Sequence, residues 1–138
     1  MAELSVPAAQ AILADNFAAW VRDLGLSVES VSSGAALLRM PYSERLVRVG
    51  GTICGQALMS AADTAMVIAL SGSFGAFKPV TTVSQNVTFM RPIAQQDVLV
   101  EARVIRLGKT LAFGEITLRG AKDEKVAAHA TTTYAILN

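Results

Sequence analysis

Hydrophobic residues fill one stretch of the chain, from Gln56 to Leu70, on every side of the helix that it would form. Its Ala, Leu and Met residues are strong helix formers, and an apolar surface all round is typical of a buried helix. Ser60 follows Gln56 by four residues and precedes Asp63 and Thr64 by three and four, so these polar exceptions share one face. We therefore predict a central buried helix with one polar stripe, on which a carboxylate is the costly group.

Shorter patterns predict the other elements. Ala8 to Leu24 has the periodicity of an amphipathic helix with Phe17 and Trp20 on its apolar side. Ser71 to Gly75 is predicted to be a break after the central helix. Alternating or β-branched runs predict six strands, two of them between Leu26 and Met40 and the others at Pro79–Phe89, Asp97–Leu107, Thr110–Leu118 and Val126–Leu137. Tight turns favour antiparallel neighbours, so an α+β fold with a sheet around one helix fits this order.

Length and composition narrow the class of protein. We expect the 138 residues to form a single domain, and a hydrophobic content of 52% against 17% charged residues suggests a surface covered by another subunit. A net charge of +1 without a basic stripe argues against nucleic acid as a partner. One cysteine and one histidine provide neither an intrachain disulfide nor a cluster of soft metal ligands.

The same sequence argues against export and against a membrane span. Met1 to Val6 lacks the basic start and long apolar core of a signal peptide, so the cytoplasm is the expected location. The apolar run from Ile53 to Leu70 has Asp63 near its middle, which favours a buried helix over a membrane-spanning one.

Glycines precede the central helix and give its start a chemical role. Gly50, Gly51 and Gly55 allow a sharp turn, and the first N–H groups of a helix lack intrahelical partners and attract a polarised carbonyl oxygen. Asp63 follows Gly55 by eight residues, about 12 Å along one helix, too far to act on the same carbonyl. If both act in one reaction, we expect the two groups to come from different subunits of a two-fold dimer.

Three motifs occur in the order of a known family. They are Gly51-Thr52-Ile53-Cys54-Gly55-Gln56, Ala62-Asp63-Thr64-Ala65 and Asn86-Val87-Thr88-Phe89-Met90-Arg91-Pro92. From Asn16 onward the chain resembles the PaaI-type branch of the hotdog-fold acyl-CoA thioesterases. The resemblance implies a hotdog fold, hydrolysis of a small or aromatic acyl-CoA such as phenylacetyl-CoA, no cofactor beyond the coenzyme A of the substrate, and a homodimer or homotetramer.

The resemblance also assigns roles to three residues. Asp63 matches the catalytic carboxylate, as a base that activates water or as a nucleophile, two alternatives between which the sequence does not choose. Gly55 matches the glycine whose N–H polarises the thioester carbonyl. Thr82 matches the hydroxyl that orients the water or the carboxylate, with Thr81 and Ser84 as alternatives.

Departures from the family pattern leave a second function open. Cys54-Gly55-Gln56 replaces the usual His-Gly-Gly, and Arg48 replaces the usual Asn, so an acyl-CoA-binding protein with little or no turnover is the alternative. Gln56 offers a replacement amide, and Cys54 is a minor candidate nucleophile at a helix start. The resemblance implies that Arg91, Arg106 and Lys109 bind the phosphates of coenzyme A. We interpret His129 as structural.

Overall fold

The computed structural model describes residues 3–137, so Met1, on which part of the signal-peptide prediction rests, lies outside it. Its helices are α1 (Val6–Asn16), α2 (Ala19–Arg22) and α3 (Gly55–Phe74), with a 3₁₀ turn at Glu44–Leu46. Its strands are β1 (Ser27–Ser32), β2 (Ala35–Met40), β3 (Val80–Phe89), β4 (Val98–Leu107), β5 (Leu111–Gly120) and β6 (Val126–Ile136). All strand pairs are antiparallel, in the order β1-β2-β4-β5-β6-β3. The sheet packs against α3, which confirms the predicted hotdog architecture.

Helix α3 forms the centre of the core. Ala61, Ala62 and Ala65 are fully buried against the sheet. Thr64 and Ser71 are also buried, and their hydroxyls donate at 2.8 Å to the carbonyls of Ser60 and Val67, four residues earlier. Among residues 3–137, α3 is the one helix long and apolar enough to span a membrane, and 61% of its most apolar window is buried within the fold.

The N-terminal helix is shorter than predicted and is interrupted. Ser5 caps α1 by accepting from the Ala8 N–H at 3.2 Å, but Phe17 and Ala18 are extended where one continuous helix was expected. Asn16 ends α1 by donating to the Ile12 carbonyl at 3.1 Å. The break turns Trp20 outward, so that 61% of its surface is exposed and its predicted place on a buried face is wrong.

The end of α3 also differs from the prediction. Residues Ser71 to Phe74 continue the helix, and Gly75 ends it with a φ of +79°. Gly72 is needed for packing here, because a Cβ atom at this position would overlap the Ser32 carbonyl oxygen of β1. A glycine within this apolar stretch therefore marks close contact between helix and strand, not a break.

The two edges of the sheet differ. At the β1 edge, the Gln10 side chain of α1 donates to the Leu26 carbonyl at 3.1 Å and accepts from the Val28 N–H at 2.8 Å. At the other edge, β3 pairs only with β6, and Val83 and Phe89 are 60% and 49% exposed. Strand β3 is therefore the open, apolar edge of the sheet within the described chain.

Candidate active site

The carboxylate of Asp63 is held by two hydroxyl groups. Thr82 on β3 donates its Oγ1–H to Asp63 Oδ1 at 2.8 Å, and Tyr134 on β6 donates its hydroxyl to the same oxygen. Within residues 3–137, Oδ2 receives no hydrogen bond, and the Asp63 side chain is only partly buried. The predicted pairing of Asp63 with Thr82, rather than Thr81 or Ser84, is thus the contact that the structure contains.

Tyr134 is the residue of this cluster that the sequence analysis missed. It lies on the α3 side of β6, pairs with Thr82 across the strands, and is only 1% exposed. Burial first, and then the neighbouring Asp63 carboxylate, raise the pKa of the Tyr134 hydroxyl far above its usual value, so the group stays protonated. A phenol on the buried side of an alternating strand needs a hydrogen-bond partner, so the pattern of β6 indicates a buried polar contact for Tyr134 but not the element that provides it.

Gly55 occupies the first position of α3. Cys54 before it is the N-cap residue but makes no side-chain capping bond, which leaves the first N–H groups of the helix open to a ligand. The Phe89 ring lies against Gly55, 3.3 Å from where a Cβ atom would stand. This arrangement provides a preformed donor for a carbonyl oxygen beside an aromatic surface.

A cleft of about 370 Å³ opens in front of Gly55, with two arginines among its lining residues. Arg48 donates to Thr52 Oγ1 at 3.2 Å across a turn in which Gly50 and Gly51 have φ values of +106° and +84°. Arg91, just after the end of β3, also lines the cleft. The two side chains bring positive charge to the cleft beside the helix start.

Backbone hydrogen bonds hold the segment just before α3 in place. The Cys54 N–H donates to the Leu46 carbonyl at 2.8 Å, and the Ile53 N–H donates to the Ile93 carbonyl at 2.9 Å. Cys54 and Gln56 line a neighbouring cavity of about 270 Å³ together with Trp20. The positions that depart from the family pattern therefore surround the helix start, as predicted from their place in the sequence.

Arg106 and Lys109 lie apart from this cleft. Arg106 pairs with Phe113, on the face of the sheet that points away from α3, and Lys109 is in the turn between β4 and β5. Strands β5 and β6 separate them from β3. His129 is on the same outer face, 3.3 Å from Glu115. One chain therefore does not bring all the predicted coenzyme A ligands together.

Strand β3 contacts both halves of the candidate site. Phe89 lies against Gly55, Gln85 Nε2 donates to the Met59 carbonyl at 3.0 Å, and Thr82 bonds Asp63. The strand thus runs antiparallel to α3, with the Gly55 backbone near one end and the Asp63 carboxylate near the other. Within one subunit the two groups are separated, as their spacing on the helix predicted.

An antiparallel sheet around a central helix that presents a carboxylate and an open helix start defines a hotdog-type hydrolase. Residues 50–127 match the family model of the thioesterase superfamily, more than half of the chain, and the chain belongs to that family. It is accordingly a thioester hydrolase, which confirms the enzyme class that the sequence motifs predicted.

Individual relatives agree with this assignment. A protein of Halobacterium salinarum named as an esterase is 36% identical over 102 residues, which cover 69% of this chain and 66% of that protein. Human acyl-coenzyme A thioesterase 13 is 28% identical over 115 residues, 82% of this chain and 81% of the human protein. The PaaI protein of E. coli, from the phenylacetic acid degradation operon, shares the fold with a TM-score of 0.83 at 21% identity, covering 96% and 92% of the two chains.

Proposed function

We propose that this thioesterase hydrolyses a small or aromatic acyl-CoA to the free acid and coenzyme A, in a site that two subunits share. The observation that carries the proposal is the contact of one exposed strand, β3, with Asp63 through Thr82 and with Gly55 through Phe89. Names of relatives, such as acyl-coenzyme A thioesterase 13, support the class of substrate.

The open edge of β3 supports a two-fold dimer. If β3 pairs antiparallel with the β3 of a second copy about a two-fold axis at Asn86, the bulge at Val83 brings Thr82 of one chain opposite the partner subunit's Phe89. Each Asp63 then approaches the partner subunit's Gly55. The same pairing covers Val83, which is 60% exposed in the single chain. Two equivalent sites result, each with one carboxylate and one helix start, and two such dimers give the expected tetramer.

The chemistry follows from these two groups. The Gly55 N–H donates to the thioester carbonyl oxygen and stabilises the negative charge that develops when the carbonyl carbon is attacked. Asp63 either takes a proton from the attacking water or attacks the carbon itself, forming an anhydride that water then hydrolyses. In both routes the C–S bond breaks, coenzyme A leaves as the thiol, and water supplies the oxygen of the acid.

The surroundings of Gly55 support coenzyme A as the leaving group. Arg48 and Arg91 border the cleft, where their guanidinium groups suit the phosphates. The Phe89 ring and a cleft of about 370 Å³ suit a compact or aromatic acyl group. Arg106 and Lys109, at the Thr82 end of the sheet, come toward the partner's cleft in the two-fold arrangement. We propose that the enzyme acts in the cytoplasm, with no cofactor beyond the substrate's coenzyme A.

The first test replaces Asp63 by Asn, which keeps the size of the side chain and an oxygen for Thr82 and Tyr134. Hydrolysis of acetyl-, phenylacetyl- and long-chain acyl-CoA is followed by release of the thiol. We expect the variant to lose at least about 100-fold in kcat on every substrate that the wild type accepts, and to bind coenzyme A unchanged. Wild-type activity in Asp63→Asn would remove this carboxylate from the reaction.

A second test addresses the Gly55 N–H. Gly55→Pro removes this N–H at the first helical position, where proline is tolerated. Gly55→Ala adds a Cβ atom against Phe89 but keeps the N–H, and serves as the matched control. We expect a loss of about 100- to 1,000-fold in kcat for proline and a much smaller loss for alanine. Equal losses would assign the effect to contact with Phe89.

The shared site is tested by mixing subunits. Asp63→Asn and Gly55→Pro chains, each inactive alone, form mixed dimers in which one of the two sites has both native groups. Random exchange at equal amounts should restore about a quarter of the wild-type activity. If exchange is demonstrated by mass and no activity returns, each site lies within one subunit.

A further inference from the structure

We propose that Tyr134 is a positioning residue that anchors Asp63 through Oδ1 and thereby makes Oδ2 the oxygen that reacts. The inference rests on the proposed role of Asp63 and goes beyond it, since it assigns different tasks to the two oxygens of the carboxylate. It also gives a role to a residue that belongs to none of the three sequence motifs.

The hydrogen bonds distinguish the two oxygens. Oδ1 accepts from Thr82 at 2.8 Å and from the Tyr134 hydroxyl, whereas Oδ2 accepts from no group within residues 3–137. Tyr134 has one proton, and its contact with the Asp63 backbone carbonyl, at 3.1 Å, is longer than its contact with Oδ1. The proton therefore goes to the charged acceptor, where a hydrogen bond is strongest. With both donors on one oxygen, the other oxygen is left free to accept a proton from water or to attack the carbonyl carbon.

Of the two donors, Tyr134 is the one that packing within a single subunit already holds in place. Its side chain is 1% exposed and lies on β6, which pairs with β3 on one side and β5 on the other. Thr82 lies on the edge strand and is exposed. A packed ring whose hydroxyl contacts both the carboxylate and the backbone of residue 63 prevents the carboxylate from turning. Because burial, and then the Asp63 carboxylate, raise the pKa of the phenol, it stays protonated and remains a donor at neutral pH.

The test is the Tyr134→Phe variant with steady-state kinetics across pH. Loss of one hydrogen bond to the charged carboxylate should lower kcat by about 10- to 100-fold. The acid limb of the kcat profile should move to higher pH, because the ionised form loses a donor. KM should stay within about twofold, since the hydroxyl does not touch the substrate.

Thr132→Val is the matched control. It removes a buried hydroxyl two residues away on the same side of β6, one that contacts the Gly114 carbonyl at 3.5 Å and not Asp63. We expect its kcat and acid limb to match the wild type even if its stability falls. A Tyr134→Phe enzyme with wild-type kcat and an unshifted acid limb would overturn the proposal.

Fluorotyrosine at position 134 provides a second measurement if the Phe variant does not fold. A ring fluorine makes the phenol more acidic and a stronger donor at nearly unchanged size, so the acid limb should move to lower pH, opposite to Phe. An unshifted limb would overturn the proposal. The Asp63→Asn enzyme separates the two hypotheses: if it is active, the proposed function fails, and if it is inactive while position 134 has no effect, only the anchoring role fails.

Discussion

At the scale of single residues, small side chains decide how closely α3 approaches the sheet. Gly72 lies against the Ser32 carbonyl of β1, and a Cβ atom at Gly114 of β5 would overlap the buried side chain of Met66. Gly72 thus lets β1 approach α3 closely, and Gly114 leaves room on β5 for the Met66 side chain of α3. Such close packing sets the distance between α3 and the sheet, across which Asp63 reaches Thr82 and Tyr134.

Gly72→Ala tests the close approach. In an open helix, glycine to alanine stabilises by up to about 1 kcal/mol. Here we expect the opposite sign, a loss of about 1–3 kcal/mol, because the added methyl group meets backbone that cannot rotate away. Ser73→Ala, in the same turn but partly exposed, is the control and should change stability little. Urea unfolding measures both, and a stabilised Gly72→Ala protein would contradict the packing argument.

Asp63 and Tyr134 show how far single residues could be predicted from the sequence. Asp63 stood out because an acid interrupts an apolar helix, and the motif around it added the resemblance. Tyr134 lies 71 positions later in an ordinary alternating strand, and its contact with Asp63 exists only after the sheet has formed. Gly72 was misinterpreted for a similar reason, since the sequence pattern does not contain the neighbour that requires a glycine there.

At the scale of elements, β3 is the strand on which the proposed site depends. Its α3-facing residues contact the helix at Gly55, Met59 and Asp63, and its outer edge has no partner in the described chain. Strand positions were predicted to within a residue or two, because alternation is a local property. Their order in the sheet is not local, and only the family resemblance supplied it.

Val83→Glu tests the role of the β3 edge. Val83 is the extra residue at a bulge in β3 and is 60% exposed. A charge there should oppose pairing with a second β3, so we expect smaller particles by sedimentation and a parallel loss of activity. Ile105→Glu is the matched control, at a bulge in β4 and 59% exposed but away from this edge. Unchanged assembly in the Val83 variant would place the interface elsewhere.

At the scale of the whole molecule, the Asp97 carboxylate links the end of β2 to the start of β4. Asp97 accepts from the Tyr42 N–H at 2.7 Å and from Arg39 at 2.9 Å. The Tyr42 hydrogen bond first, and then Arg39, lower the pKa of Asp97 below its usual value. Its contribution to stability is therefore present above the unfolded-state pKa of about 3.9 and is lost as the pH falls through the lower folded-state value.

Asp97→Asn should show this dependence. We expect the variant to unfold at a lower urea concentration than the wild type near neutral pH. The difference between the two urea midpoints should disappear as the pH falls below about 3.9. Glu101→Gln, which removes an exposed ion pair with Arg119, should change stability little at any pH. A gap between wild type and Asp97→Asn that widens in acid would reverse the sign of the argument.

The unequal edges of the sheet also limit how large an assembly can grow. The Gln10 amide occupies backbone groups of Leu26 and Val28, so the β1 edge is poorly suited to receive another strand. A sheet with two receptive edges can add copies without end and become a filament. In the proposed dimer, with one receptive edge and a two-fold axis across it, the addition of strands to the sheet stops after a single partner. We therefore expect a glutamine far from the proposed chemistry to protect a strongly apolar chain from open-ended addition of strands.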